Sequence, residues 1–145
     1  MKKDPYKHKQ LYLNWRETIS KGIEGISKAN SDLIINYVTD MEKGINISNL
    51  NRKGARSYPT LNKIKQKIIY LAKEFEKNDV LSLADLTEEQ VFDFFSKMRS
   101  GEIRTKKGEI YKSVGDYVKV FKSFWHWFQK EMQEIYGRQN LLLNY

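Results

Sequence analysis

The sequence contains no cysteine, which rules out both a disulfide framework and a thiolate metal site and makes an intracellular, cytoplasmic setting the natural expectation. Proline and glycine are also scarce, at two and eight residues, so little of the chain is loop material. There are only two histidines, His8 and His126, far apart in sequence. No HExxH pair, phosphate-cradling glycine loop or acidic calcium loop is present, and no metal or cofactor is expected. No run reaches the roughly 18 apolar residues of a membrane span, and the opening MKKDPYKHKQ has charge with no apolar stretch behind it. A soluble, non-exported chain without a membrane partner follows. Internal repeats and low-complexity tracts are missing as well.

What is present fits one folded domain. Of the 145 residues, 40% are hydrophobic, 30% charged and 13% aromatic, inside the globular range. The net charge of +8 favours an anionic partner, nucleic acid or an acidic membrane surface. Its distribution says more. Lys43, Arg52, Lys53, Arg56, Lys63, Lys65, Lys67 and Lys73 form a stretch of +8 with no acid in it. From Glu74 to Ser96 the sign reverses to −6, and from Lys97 to Lys122 it returns to +5 through Lys97, Arg99, Arg104, Lys106, Lys107, Lys112, Lys119 and Lys122. A single charge run usually marks a solvated face, but two basic blocks each next to a helix start weigh against that reading.

Apolar periodicity predicts an all-α fold, a bundle of four main helices with an additional N-terminal helix. Tyr12, Trp15, Ile19, Ile23 and Ile26 make one stripe of a helix expected from about Pro5 to about Glu24, within an N-terminal arm at 1–29. A second helix is expected after Asn30 as N-cap, burying Leu33, Ile34, Tyr37, Val38 and Met41 and stopping at Gly44. The stretch INISNLNRKGARS reads as a loop. A third helix opens at Ser57-Tyr58-Pro59 and runs to about Glu76. Its Leu61, Ile64, Ile68, Leu71, Ala72 and Phe75 share a face that leaves Thr60, Lys63 and Lys67 on another. The fourth begins at LTEEQV, where Thr87 and Gln90 have capping-box spacing and Leu86 and Val91 hydrophobic-staple spacing. GEIRTKKGEIYK reads as a loop, although a short hairpin fits it too. The last long helix, Ser113 to about Ile135, puts Val114, Tyr117, Phe121, Phe124, Trp125, Phe128 and Met132 on one face and Lys119, Lys122, His126 and Lys130 on the opposite side. Residues 136–145 read as a linker or tail.

No catalytic constellation assembles from these residues. His126 has no serine or carboxylate placed for a triad, and Glu88-Glu89 is explained by the dipole at a helix's first turn. The cluster Phe124, Trp125, Trp127, Phe128 is expected to be core, with Trp127, off the main stripe, as the member able to face a partner. The helix starts near Ser57 and Ser113 remain. Free N–H groups and adjoining lysines at such ends suit phosphate, and two of them would grip a duplex backbone from two sides.

The segments SYPTLNKIKQKIIYLAKEF, LADLTEEQVFDFFSKM and KSVGDYVKVFKSFWHWF, with a basic loop between the last two, resemble the core-binding (SAM-like) domain of tyrosine recombinases, the phage-type integrases. The likeness runs from about Asn30 to Ile135, the domain expected at 30–135, and the N-terminal extension resembles archaeal forms of the family. The resemblance implies double-stranded DNA as partner, held in one jaw of a clamp with two helices across the major groove. It also leaves room for further recombinase protomers on the DNA. Carried over, it points to Ser57, Thr60, Lys63 and Lys67 on one helix and to Lys112, Ser113 and Lys119 on the other. The charge blocks add Arg52, Lys53, Arg56, Arg104, Lys106, Lys107 and Lys122 as DNA-binding candidates. The family's catalytic arginine, lysine, histidine and tyrosine set has no counterpart here, so the expected role is non-catalytic, as part of a longer recombinase or as a stand-alone binder. A helical protein adaptor using the tail leucines or Trp127, or a non-integrase DNA-binding regulator, is the alternative.

Overall fold

Leu61, Ile64, Ile68, Leu71, Ala72 and Phe75 recur at three- and four-residue intervals, and in the computed structural model all six are buried along one side of a helix, α3 (Tyr58–Lys77). The structure describes residues 7–44 and 56–143, with side chains described as far as residue 132. Around α3 stand α1 (His8–Thr18), α2 (Lys28–Lys43), α4 (Glu88–Ser100) and α5 (Val114–Leu143). Two short 3₁₀ turns, Ile19–Lys21 and Leu83–Asp85, join them. The chain is 74% helical, with five helices and no strand among the described residues, so the all-α expectation holds.

The first helix is shorter than its apolar stripe suggested. Its described part begins at His8, and Pro5 lies outside the described residues. After Thr18 the chain tightens into the 3₁₀ turn and leaves it at Gly22, whose φ of 102° is open to glycine and costly for other residues. The stripe itself is used as expected: Tyr12, Ile19 and Ile23 are buried, and Trp15 and Ile26 pack on the core. Residues of the predicted arm therefore lie against α3, where the Tyr12 ring sits 5.7 Å from that of Tyr58.

The start of α2 corrects the expected cap. Ser27, not Asn30, is the N-cap: it has extended backbone, and its Oγ accepts from the Asn30 N–H at 3.1 Å. Asn30 lies one turn inside the helix and is fully buried. Its side chain is committed elsewhere, donating from Nδ2 to Glu76 Oε2 at 2.9 Å and accepting at Oδ1 from the Leu83 N–H at 2.7 Å. The Glu76 carboxylate also accepts from the Ser27 N–H at 2.9 Å, and Ser27 Oγ donates to Leu81 O at 2.6 Å. One polar knot thus ties the start of α2, the end of α3 and the turn into α4. The far end of α2 stops at Gly44, as expected.

At α4 the capping box forms in both directions. Thr87 Oγ1 accepts from the Gln90 N–H at 3.2 Å, and Gln90 Oε1 accepts from the Thr87 N–H at 3.0 Å. Phe94, Phe95 and Met98 then enter the core. The α5 backbone continues as helix to Leu143, past the expected end near Ile135 and through most of the stretch read as a linker. Its aromatic face closes the bundle: Phe121, Phe124 and Trp127 are buried, Tyr117, Trp125 and Phe128 partly so, while Met132 is exposed. The Tyr37 ring meets Phe124 edge-on at 5.4 Å. Such a pair adds about 0.5–1.5 kcal/mol beyond the area it buries.

Removing the Asn30 side chain tests the knot. Asn30→Ala leaves the Leu83 N–H and Glu76 without their buried partner and is expected to cost about 1–3 kcal/mol in urea unfolding. Asn36→Ala, on the exposed side of the same helix, should leave the midpoint nearly unchanged.

Candidate nucleic-acid interface

Thr60, Lys63 and Lys67 follow one another along α3 at helical spacing, away from its buried stripe. Thr60 and Lys63 are exposed and Lys67 is half-buried. Just before them, Ser57 caps α3 in extended backbone. Its Oγ donates to Thr60 Oγ1 at 3.1 Å and makes no bond to the helix backbone, so the free N–H groups of the first turn stay uncovered by that hydroxyl.

The second basic segment is held against this face by tyrosines. Tyr111 O–H donates to the Tyr70 hydroxyl at 2.9 Å, and the Tyr70 ring lies 5.3 Å from that of Tyr117 in the first turn of α5. Lys67 Nζ stands 4.7 Å above the Tyr117 ring, a cation–π contact of about 0.5–1 kcal/mol at an exposed site. Desolvation by burial pushes the Tyr70 hydroxyl's pKa well above its ordinary value of 10.0. Burial raises that of Tyr117 too.

Between α4 and α5 the chain turns back on itself as a small hairpin-like loop with a single antiparallel bridge, Arg104 to Ile110. Arg104 holds it together, donating from Nε to Gly101 O at 2.8 Å and from Nη1 to Gly108 O at 3.1 Å. Gly101 admits no side chain: its φ is 82°, and an added Cβ would sit 2.8 Å from Ile110 Cγ1. Lys106 and Lys107 are exposed at the tip, and Lys112 and Ser113 are exposed where the loop enters α5. Among the described residues the ion pairs use Lys28, Lys77 and Lys97, which leaves Lys63, Lys106, Lys107 and Lys112 without a carboxylate partner.

Not every candidate joins this surface. Arg52 and Lys53 lie outside the described residues. Arg56 is half-buried; its N–H donates to Met41 O at 3.1 Å, and its charge is felt at the buried Tyr37 hydroxyl. Arg104 is exposed, but its guanidinium donates to the carbonyls of its own loop. Lys119 is exposed, but two residues of helix carry it about 200° round α5 from Tyr117. Lys122 faces α4, across a groove it shares with Val91 and Trp125.

The aromatic expectation needs one correction. Trp127 is 3% exposed and donates from Nε1 to Asp40 Oδ2 at 2.7 Å, so it cannot face a partner. It falls off the main stripe because α5 is covered on two sides, and α2 takes the second. The tyrosines that join α3 to the loop were not singled out by spacing: Tyr70 and Tyr111 lie on no core stripe. Their signal is compositional, a tyrosine in each basic block, since an aromatic body with a polar tip suits a half-wet junction. Among the described residues no cluster of histidine or carboxylate groups is arranged for a metal, and no helix is long and apolar enough to cross a membrane. Comparison with known proteins finds no matching family model, curated protein or solved structure.

The half-buried phenols make the junction sensitive to alkali. Folding raises the pKa of Tyr70 above 10.0, so the folded chain keeps a proton that the unfolded chain loses. This stability is complete below pH 10 and declines as the pH rises beyond it. Stability to urea should therefore fall between pH 10 and about pH 12. Tyr70→Phe, which removes the ionisable group, should weaken less over that interval.

Proposed function

We propose that this chain binds duplex DNA without cutting it, as a core-binding domain of the tyrosine-recombinase kind holds its site during integration and recombination. The observation that carries the reading is the joining of two basic blocks, far apart in sequence, by the Tyr70–Tyr111–Tyr117 cluster and Lys67. Lys63 on α3, Lys106 and Lys107 at the loop tip, and Lys112 before α5 are exposed cations on the two elements so joined. Lysines on long stems suit phosphate oxygens more than base edges, so they contribute affinity and register rather than sequence reading. The sequence likeness to the core-binding domain points to the same two helices. The chain carries no counterpart of the recombinase arginine, histidine and tyrosine set, so strand cleavage belongs to another domain or another protein. The role in this reading needs no cofactor.

Affinity for a duplex should fall linearly on a log–log salt plot, with a slope of about −0.9 for each phosphate neutralised. Lys63→Glu, exposed and off the core, should lower affinity and flatten that slope while leaving the melting temperature in place. Lys67→Glu should weaken both binding and stability, because it also removes the contact with Tyr117. Binding that is absent at low salt, or indifferent to salt, would overturn the reading.

A further inference from the structure

On the side of α5 turned away from Tyr117, an open groove of about 760 Å³ runs between α4 and α5. Its walls are mainly apolar, with Val91 and Phe95 from α4 and Val118, Phe121 and Trp125 from α5. Phe92 lines it and is 72% exposed, the most exposed of the large hydrophobic side chains among the described residues. His126, also in the wall, has a buried Nε2 with no hydrogen-bond partner.

The charges along this groove have an order. Glu88, Phe92 and Arg99 fall within about 40° of one line along α4, and all three line the groove. The acid stands in the first turn, the arginine in the last, and the phenylalanine between them. Neither Glu88 nor Arg99 forms an ion pair within its own chain, among the described residues. A helix face with an acid at one end, a base at the other and an apolar centre is complementary to itself when turned end for end. That is the requirement of a twofold interface, in which one patch serves both partners.

We propose that a second copy of this chain covers the groove, with the two α4 helices antiparallel about a twofold axis near their middle. Glu88 of each copy then faces Arg99 of the other, and each Phe92 enters the partner's groove beside Phe95. A like-signed or uniformly charged partner face lacks this fit, and a small apolar ligand leaves the end charges unmatched. The proposal does not rest on DNA binding, and its test contains no nucleic acid.

Light scattering and sedimentation of the full chain, from micromolar to near-millimolar concentration, should show a monomer–dimer equilibrium. Phe92→Glu should weaken dimerisation about thirtyfold or more, as loss of a central interface anchor does, with its thermal melt confirming an intact fold. Glu88→Arg and Arg99→Glu should each weaken self-association, whereas mixing the two variants should restore a heterodimer in which both end pairs are of opposite charge. A chain that stays monomeric at every concentration would overturn the proposal, as would a dimer indifferent to Phe92→Glu or a mixture no tighter than its parts. A groove that takes up an apolar dye while the chain remains monomeric would also count against it, in favour of a small-molecule site.

Discussion

Asn30 is the constraint on which the arrangement of the helices depends. A fully buried amide has to satisfy both its donor and its acceptor within the protein, and here the two point to different elements, Glu76 at the end of α3 and the Leu83 backbone in the turn before α4. Because Ser27 binds the same carboxylate, the first turn of α2 cannot slide along α3 without breaking several bonds at once. The apolar stripes specify this register less sharply, since burial of apolar area is not directional. The knot therefore supplies direction to a core whose strength comes from burial.

Position along the chain then follows from what α5 has to satisfy. One side packs on Phe75 and Phe95 through Phe121. Another meets α2, where Trp127 donates to Asp40 and Tyr37 donates to Ser123 at 2.8 Å. With two sides covered, the aromatic run is core, and no ring of the buried set remains for stacking on a nucleic acid base. Before that helix and at its start, Lys106, Lys107, Lys112 and Ser113 stand exposed.

The parts legible in the sequence were those set by local periodicity and capping. Six α3 positions and the Thr87–Gln90 box follow from three- and four-residue spacings that no distant contact alters. An asparagine before an apolar run suits an N-cap, and only the long-range Glu76 and Leu83 partners make a helical interior position better for Asn30. Trp127 departs from its expected place for a related reason. A single apolar stripe describes a helix packed on one side, and α5 is packed on two. Among the candidate binding residues, spacing identified Lys63 and Lys67 as neighbours on a polar face. Charge counting groups Arg104 and Lys122 with them by sign alone; both are exposed, the first with its guanidinium bonded to its own loop and the second lining the α4 groove.

The two surfaces of α5 bear on each other through geometry. Tyr117 and Val118 are adjacent in sequence, yet the helix turns one towards α3 and the basic loop and the other into the α4 groove. Pairing of two chains through α4 would leave Lys63, the loop tip and the start of α5 uncovered on each copy, so association and DNA contact would not compete for the same residues. A twofold pair carrying two such faces would engage two DNA segments, or two halves of one site, with the second contact made at the effective concentration set by the first. Lys122 lies on the α5 wall of that groove, so in this pairing it would stand at the interface and apart from Lys63.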